Sequence, residues 1–160
     1  MALHRLVRAC PPLDPNSSYC NLLQCSHFKS TSIAAVREDE LVGSITGYRI
    51  PERPDTLFVW QVAVHPTARG KGLARKMLRN LQQRMEKEGI RFIETSITPD
   101  NEASLRLFTG FAAEQHAAMF RSVMFERDTH FEGAHETEYL FRIGPFDAAC
   151  HLQTSDQGEN

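Results

Sequence analysis

Residues 60–80 read WQVAVHPTARGKGLARKMLRN, and their order decides the fold. Gln61 to Val64 is a short apolar strand, His65-Pro66 ends it, a basic turn with two glycines follows, and an amphipathic helix leaves the turn. In that helix, over 71–88, Leu73, Met77, Leu78, Leu81 and Met85 recur at helical spacing, which gives it one buried face. Gly89 suits its C-terminal cap. Glycines at a strand-to-helix turn let backbone N–H groups come close to a phosphate. The helix N-terminus behind them favours an anion. Arg69, Lys71 and Arg75 add positive charge around Gly70, Gly72 and Ala74. The turn reads as a pyrophosphate pocket.

Two other phosphate-binding turns are excluded. A dinucleotide-binding fingerprint needs a third glycine and a downstream acidic strand end, and a Walker loop needs Gly-Lys-Ser/Thr; neither is present. The pattern Arg-x-x-Gly-x-Ala over Arg69 to Ala74 resembles the coenzyme A signature of GNAT-type N-acetyltransferases.

Outward from this stretch, Leu57 to Val64 is too apolar for an exposed edge and reads as a central strand. Upstream, residues 3–9 read as the end of a helix stopped by Pro11 and Pro12. Asp14 reads as an N-cap with Pro15 at the first helical position of a helix running to about Phe28. Ile33 to Val36 and Leu41 to Ile50 read as two strands joined by a polar hairpin turn, and 51–55 as a loop. Downstream, Arg91 to Thr98 reads as a strand, 102–111 as a helix, and Met119 to Phe125 and Glu138 to Ile143 as two further strands around a loop at 130–135. The order β-β-β-α-β-α-β-β describes an α/β domain with a mixed, mostly antiparallel sheet flanked by helices, over residues 1–146. Residues 147–160 are polar and read as a disordered tail.

The chain has 160 residues, enough for one domain with a real core. Its formal charge of −2 gives no electrostatic footprint for nucleic acid or an acidic membrane. No apolar run approaches the ~20 residues of a membrane span, and the start lacks a signal-peptide core. Cys10, Cys20, Cys25 and Cys150 form no CxxC pair and no zinc spacing, so free thiols of a cytoplasmic protein, and no metal, are expected.

The second half of a GNAT signature follows the 91–98 strand. Asn101-Glu-Ala-Ser104-Leu-Arg-Leu107-Phe108 resembles the family's Asn-x-x-Ala/Ser-x-x-Leu-Tyr helix, whose Asn contacts the pantetheine or phosphate arm; Asn101 equally suits a helix N-cap. Four segments are similar to one GNAT branch, the L-2,4-diaminobutyrate acetyltransferases of ectoine biosynthesis: LDPNSSYCNLLQCSHF (13–28), RPDTLFVWQVAVHPTARGKGLARKML (53–78), ETSITPDNEASLRLF (94–108) and HFEGAHETEYLFRIGP (130–145). The resemblance spans roughly residues 5–146. It implies acetyl transfer from acetyl-CoA to the 4-amino group of L-2,4-diaminobutyrate during osmotic stress, in a cytoplasmic homodimer. It also implies that the first strand of the family's fold is absent from this chain.

Carried over residue by residue, the resemblance implies a cofactor site of Val62, Val64, Arg69, Gly70, Lys71, Gly72, Leu73, Ala74, Asn101, Ser104 and Phe108. It implies Asp14, Tyr19 and Trp60 for substrate binding, and Glu138, His135 and the Val62 backbone N–H for catalysis. Glu136 is the next acid to consider, and Arg49 or Arg53 a partner for the substrate carboxylate. The chemistry asks for such a set: an alkyl amine of pKa ~10 must lose a proton, and the thioester oxygen needs donors as it gains charge. Phe108 stands where many GNAT enzymes carry a tyrosine thought to protonate the leaving thiolate. Two alternatives stay open: a GNAT acting on another small amine or a protein amine, and a CoA-binding module without catalysis.

Overall fold

The structure is a computed structural model and describes residues 1–146. The expected tail, and with it Cys150, lies outside the described residues. The elements are α1 (Ala2–Arg8), α2 (Ser18–His27), β1 (Ile33–Arg37), β2 (Glu40–Ile50), β3 (Arg53–Val64), α3 (Leu73–Glu86), β4 (Phe92–Ile97), α4 (Glu102–Glu114), β5 (Met119–Phe125), α5 (Arg127–Phe131) and β6 (Glu138–Ile143). The strands form one sheet in the order β1-β2-β3-β4-β6-β5. Only β3 and β4 run parallel. The mixed, mostly antiparallel sheet and its central β3 agree with the sequence reading.

Alternation along β3 assigns helices to faces. Val62 and Val64 pack against the main core with Met77, Leu78, Leu81 and Met85 of α3 and Phe108 and Phe111 of α4. Ala63, between them, packs under Leu3, Leu6 and Val7 of α1. Neighbouring strand residues point to opposite faces. So α3 and α4 cover one face, and α1 covers the other.

Several boundaries differ from the sequence reading. Asp14 does not cap α2. Ser17 is the N-cap, its side chain accepting from Cys20 N, while Asp14 Oδ1 accepts from Asn16 N at 2.9 Å in a tight local turn. β3 begins at Arg53, because the hairpin closes at Ile50↔Arg53 and the turn needs only Pro51 and Glu52. α3 begins at Leu73 rather than Lys71, α4 runs on to Glu114, and a five-residue helix, α5, precedes the expected 130–135 loop and takes in its first two residues. No helix of the described residues is long and apolar enough to cross a membrane.

Candidate active site

The site grows from a fork in the sheet. β3 and β4 pair only over Thr56↔Phe92, Leu57↔Ile93 and Phe58↔Glu94, after which the two strands part. On its other side β3 stays paired with β2 up to Val64. His65 N donates to Val42 O, and hydrogen-bonded pairs alternate along an antiparallel ladder. Ala63 and Gln61 therefore direct their backbone groups at β2. Val62 and Val64 direct theirs into the fork.

Two arginines converge on a buried carboxylate at the apex of the fork. Glu94 is 1% exposed. Arg53 donates to both its oxygens, Nη2 to Oε2 at 2.8 Å, and Arg142 Nη1 donates to Oε1 at 2.5 Å. The Arg142 guanidinium lies 3.8 Å from the centre of the Phe92 ring. The hydrogen bond to Glu94 holds the Arg53 pKa above its ordinary value, against the opposing effect of burial. Three strands are thus joined at the point where two separate.

At the open end stands the turn before α3. Gly72 is the N-cap with φ +70° and Gly70 has φ +74°. Lys76 N closes on Gly72 O, so the N–H groups of Leu73, Ala74 and Arg75 precede any intrahelical partner. Arg69 Nε donates to Val64 O at 3.0 Å, which fixes its guanidinium between strand end and helix start. A cavity of about 280 Å³ lies here, lined by Val64, Arg69, Gly70, Gly72, Leu73, Ala74 and Arg75 among others. It shares Val64, Arg69, Ala74 and Leu107 with a second cavity of about 290 Å³ that reaches Val62, Asn101 and Ser104. The Asn101 side chain accepts from Ser104 N at 3.1 Å, so it is the N-cap of α4 as well as part of this wall.

The second cavity shares Leu13, Val62, Asn101 and Ser104 with a larger cleft of about 420 Å³. Asp14, Trp60, Gln61, Phe108, His135 and Glu138 line that cleft. Trp60 reaches it through a β-bulge. The β2–β3 register passes from Thr46↔Gln61 to Gly47↔Val59 and leaves Trp60 unpaired. Gly47 permits the close approach, since a Cβ there would lie 2.6 Å from Phe58 O. Val59 packs in the α3-side core and Ala63 under α1, so both Trp60 and Gln61 face the α1 side. The Trp60 indole stands edge-on to Tyr48, centroids 6.3 Å apart. The result is a continuous trough from the N-terminus of α3, past two outward-facing strand amides, to a cleft with two carboxylates.

The model of the acetyltransferase (GNAT) family matches residues 1–111. The chain belongs to that family. Among curated relatives, an L-2,4-diaminobutyric acid acetyltransferase of Methylotuvimicrobium alcaliphilum is 56% identical over 91% of this chain and 85% of its own. One from Streptomyces coelicolor is 50% identical over 92% and 88%. A solved diaminobutyrate acetyltransferase of Paenibacillus lautus, in complex with L-2,4-diaminobutyric acid and coenzyme A, is 40% identical, with a TM-score of 0.85 over 98% of this chain and 91% of that one.

In GNAT terms, the fork and the turn before α3 bring together nearly every residue expected to meet the cofactor. Lys71 is the exception: it is exposed and lines none of the three cavities. Phe108 is 1% exposed and sits at the cleft as an apolar wall. Asp14, Trp60, His135 and Glu138 meet at the cleft. Tyr19 does not: it is 69% exposed and outside the lining. Glu136 pairs with Arg127 at 3.3 Å away from the cleft. Arg49 donates to Pro54 O and Glu88 O, and Arg53 is held by Glu94, so neither is poised for a substrate carboxylate. Sequence reasoning passed over Gln61. Its signal was present, as the one strongly polar residue within FVWQVAV.

Proposed function

We propose that this chain transfers the acetyl group of acetyl-CoA to the 4-amino group of L-2,4-diaminobutyrate. The observation that carries the reading is the fork: strand amides of Val62 and Val64 face a trough that joins the N-terminus of α3 to an acid-bearing cleft. The pyrophosphate binds at Gly70 to Arg75, and the pantetheine arm lies along β3 opposite Asn101 and Ser104. The thioester then sits beside the Val62 N–H, a donor already in place for the oxygen that gains charge. Asp14 and Trp60 bind the substrate, Asp14 as counter-charge to its α-ammonium. Glu138, half-buried at the start of β6, and His135 accept the proton of the attacking amine. Attack forms the amide C–N bond, breaks the C–S bond and releases the thiolate.

The relatives' substrate supports diaminobutyrate here, because identity runs over nearly the whole chain. The product is a step towards ectoine, made in the cytoplasm under osmotic stress by a homodimer. For the dimer, support comes from β5, an edge strand on which Phe120 is 65% and Val123 51% exposed. An acetylation assay across diaminobutyrate, ornithine, lysine and polyamines tests the substrate. NMR of the product should show the 4-N-acetyl isomer alone; comparable amounts of the 2-N-acetyl isomer would refute a site that tells the two ends apart.

A further inference from the structure

Asp14 belongs to the loop between α1 and α2, and two hydrogen bonds attach that loop to β3. Cys10 Sγ donates to Val64 O at 3.2 Å, and Gln61 Nε2 donates to Asp14 O at 2.8 Å. The remaining bonds of Asp14 are local: Oδ1 accepts from Asn16 N, and its carbonyl accepts from Asn16 Nδ2 at 3.3 Å. They shape the turn without locating it. Among the described residues, Gln61 alone reaches from the sheet to Asp14.

Gln61 is an expensive occupant of its position. It is 9% exposed, and its Oε1 is buried without a hydrogen-bond partner. An apolar side chain of the same length would strand no acceptor there. The amide has one workable orientation, since turning it would set Oε1 against the Asp14 carbonyl, acceptor against acceptor. The bulge that frees Trp60 also places Gln61 on the cleft side of the sheet. One irregularity therefore supplies both a wall of the cleft and a strut to its acid.

We propose that Gln61 is a positioning residue of the substrate site: its Nε2–H holds the main chain at Asp14 so that the carboxylate meets the substrate's α-ammonium. This rests on the diaminobutyrate reading above. Gln61 touches no reacting atom and acts through Asp14.

The test is a double-mutant cycle on the full chain. Gln61→Met keeps length and removes the donor. It should raise the KM for diaminobutyrate about tenfold, mid-range for contacting, coupled residues, with kcat and the acetyl-CoA KM changed less than about twofold. Added to Asp14→Asn, it should cost little more, because the strut matters only while the carboxylate is there to be placed. Additive losses, or equal losses in kcat and in the acetyl-CoA KM, would overturn the proposal and leave Gln61 a packing residue. If Gln61→Met does not fold, Gln61→Asn, whose amide falls one methylene short, carries the same expectation. Wild-type protein that acetylates no diaminobutyrate defeats the functional reading instead. Hydrogen exchange then decides the strut by itself: residues 10–17 should exchange faster in Gln61→Met, and unchanged exchange would refute it.

Discussion

Gly72→Val separates the proposed phosphate cradle from the stability of the helix that bears it. Gly72 has φ +70°, and a Cβ built there meets nothing within 4 Å. The cost is therefore backbone strain alone, about 1–2 kcal/mol for an L-residue held left-handed. Against a total of ~5–15 kcal/mol the protein stays folded, and the melting temperature should fall by about 3–6 °C. Coenzyme A binding should suffer more. The valine methyls enter the space a phosphate would use, and a relaxed backbone re-aims the first-turn N–H groups. Losing one or two charge-assisted hydrogen bonds of ~1.5–3 kcal/mol each predicts at least about tenfold weaker binding. Gly89→Val is the matched control. Gly89 has φ +85° and open space too, and it ends the same helix, where Ile90 N reaches Met85 O and Gly89 N reaches Glu86 O. It should melt earlier by a similar amount and bind coenzyme A like wild type. Calorimetric titration of both variants decides the matter. A Gly72→Val protein that melts early yet binds coenzyme A within about twofold of wild type would refute the phosphate cradle.

Other expectations concern acids, the apex of the fork and the leaving group. Asp14→Asn should raise the KM for diaminobutyrate while sparing that for acetyl-CoA, as a contact to an ammonium loses its counter-charge; steady-state kinetics that found Asp14→Asn silent would confine Asp14 to its turn. Glu138→Gln should lower kcat by about 10²-fold or more, as the attacking amine loses a proton acceptor. Glu94→Gln leaves two guanidinium groups without their shared carboxylate, and both are partly exposed, so urea unfolding should show a loss of about 1–2 kcal/mol, below the ~3–5 of a fully buried broken pair. Phe108→Tyr should change kcat by less than about tenfold, ~1.4 kcal/mol of barrier, since a thiol of pKa ~8.5 leaves without an acid. For the same reason kcat/KM should rise with pH through one deprotonation without falling again near pH ~9–10; a descending limb in folded protein would reveal the missing acid.

The fold was legible where local pattern and tertiary demand agree. The apolar run of β3 marked a central strand and the 3.6-residue spacing of α3 a helix with one buried face, and the structure has both. Boundaries failed where several residues offered the same chemistry. Asp14, Asn16 and Ser17 all carry a side-chain oxygen before α2, and local sequence cannot choose among three competent caps. Placing the cap at Asp14 started the helix three residues early. The α5 helix was invisible for another reason: five residues carry no apolar periodicity to detect.

The bulge at Trp60 marks the deeper limit. Strict alternation from Leu57 and Val59 would send Gln61 and Ala63 into the α3-side core and put Val62 and Val64 against α1. The reverse occurs, because one unpaired residue shifts every later side chain to the other face. Backbone direction shifts with it, and so determines which amides look into the fork. A single inserted residue thus exchanges two faces of β3, and nothing in the periodicity of FVWQVAV announces it. What does is the pair of misfits it accommodates, a tryptophan 44% exposed and a glutamine buried beside it. A large apolar ring left in the open and an amide taken out of water are both unfavourable taken alone. Side by side they line one cleft, where the ring stands edge-on to Tyr48 and the amide reaches the Asp14 carbonyl.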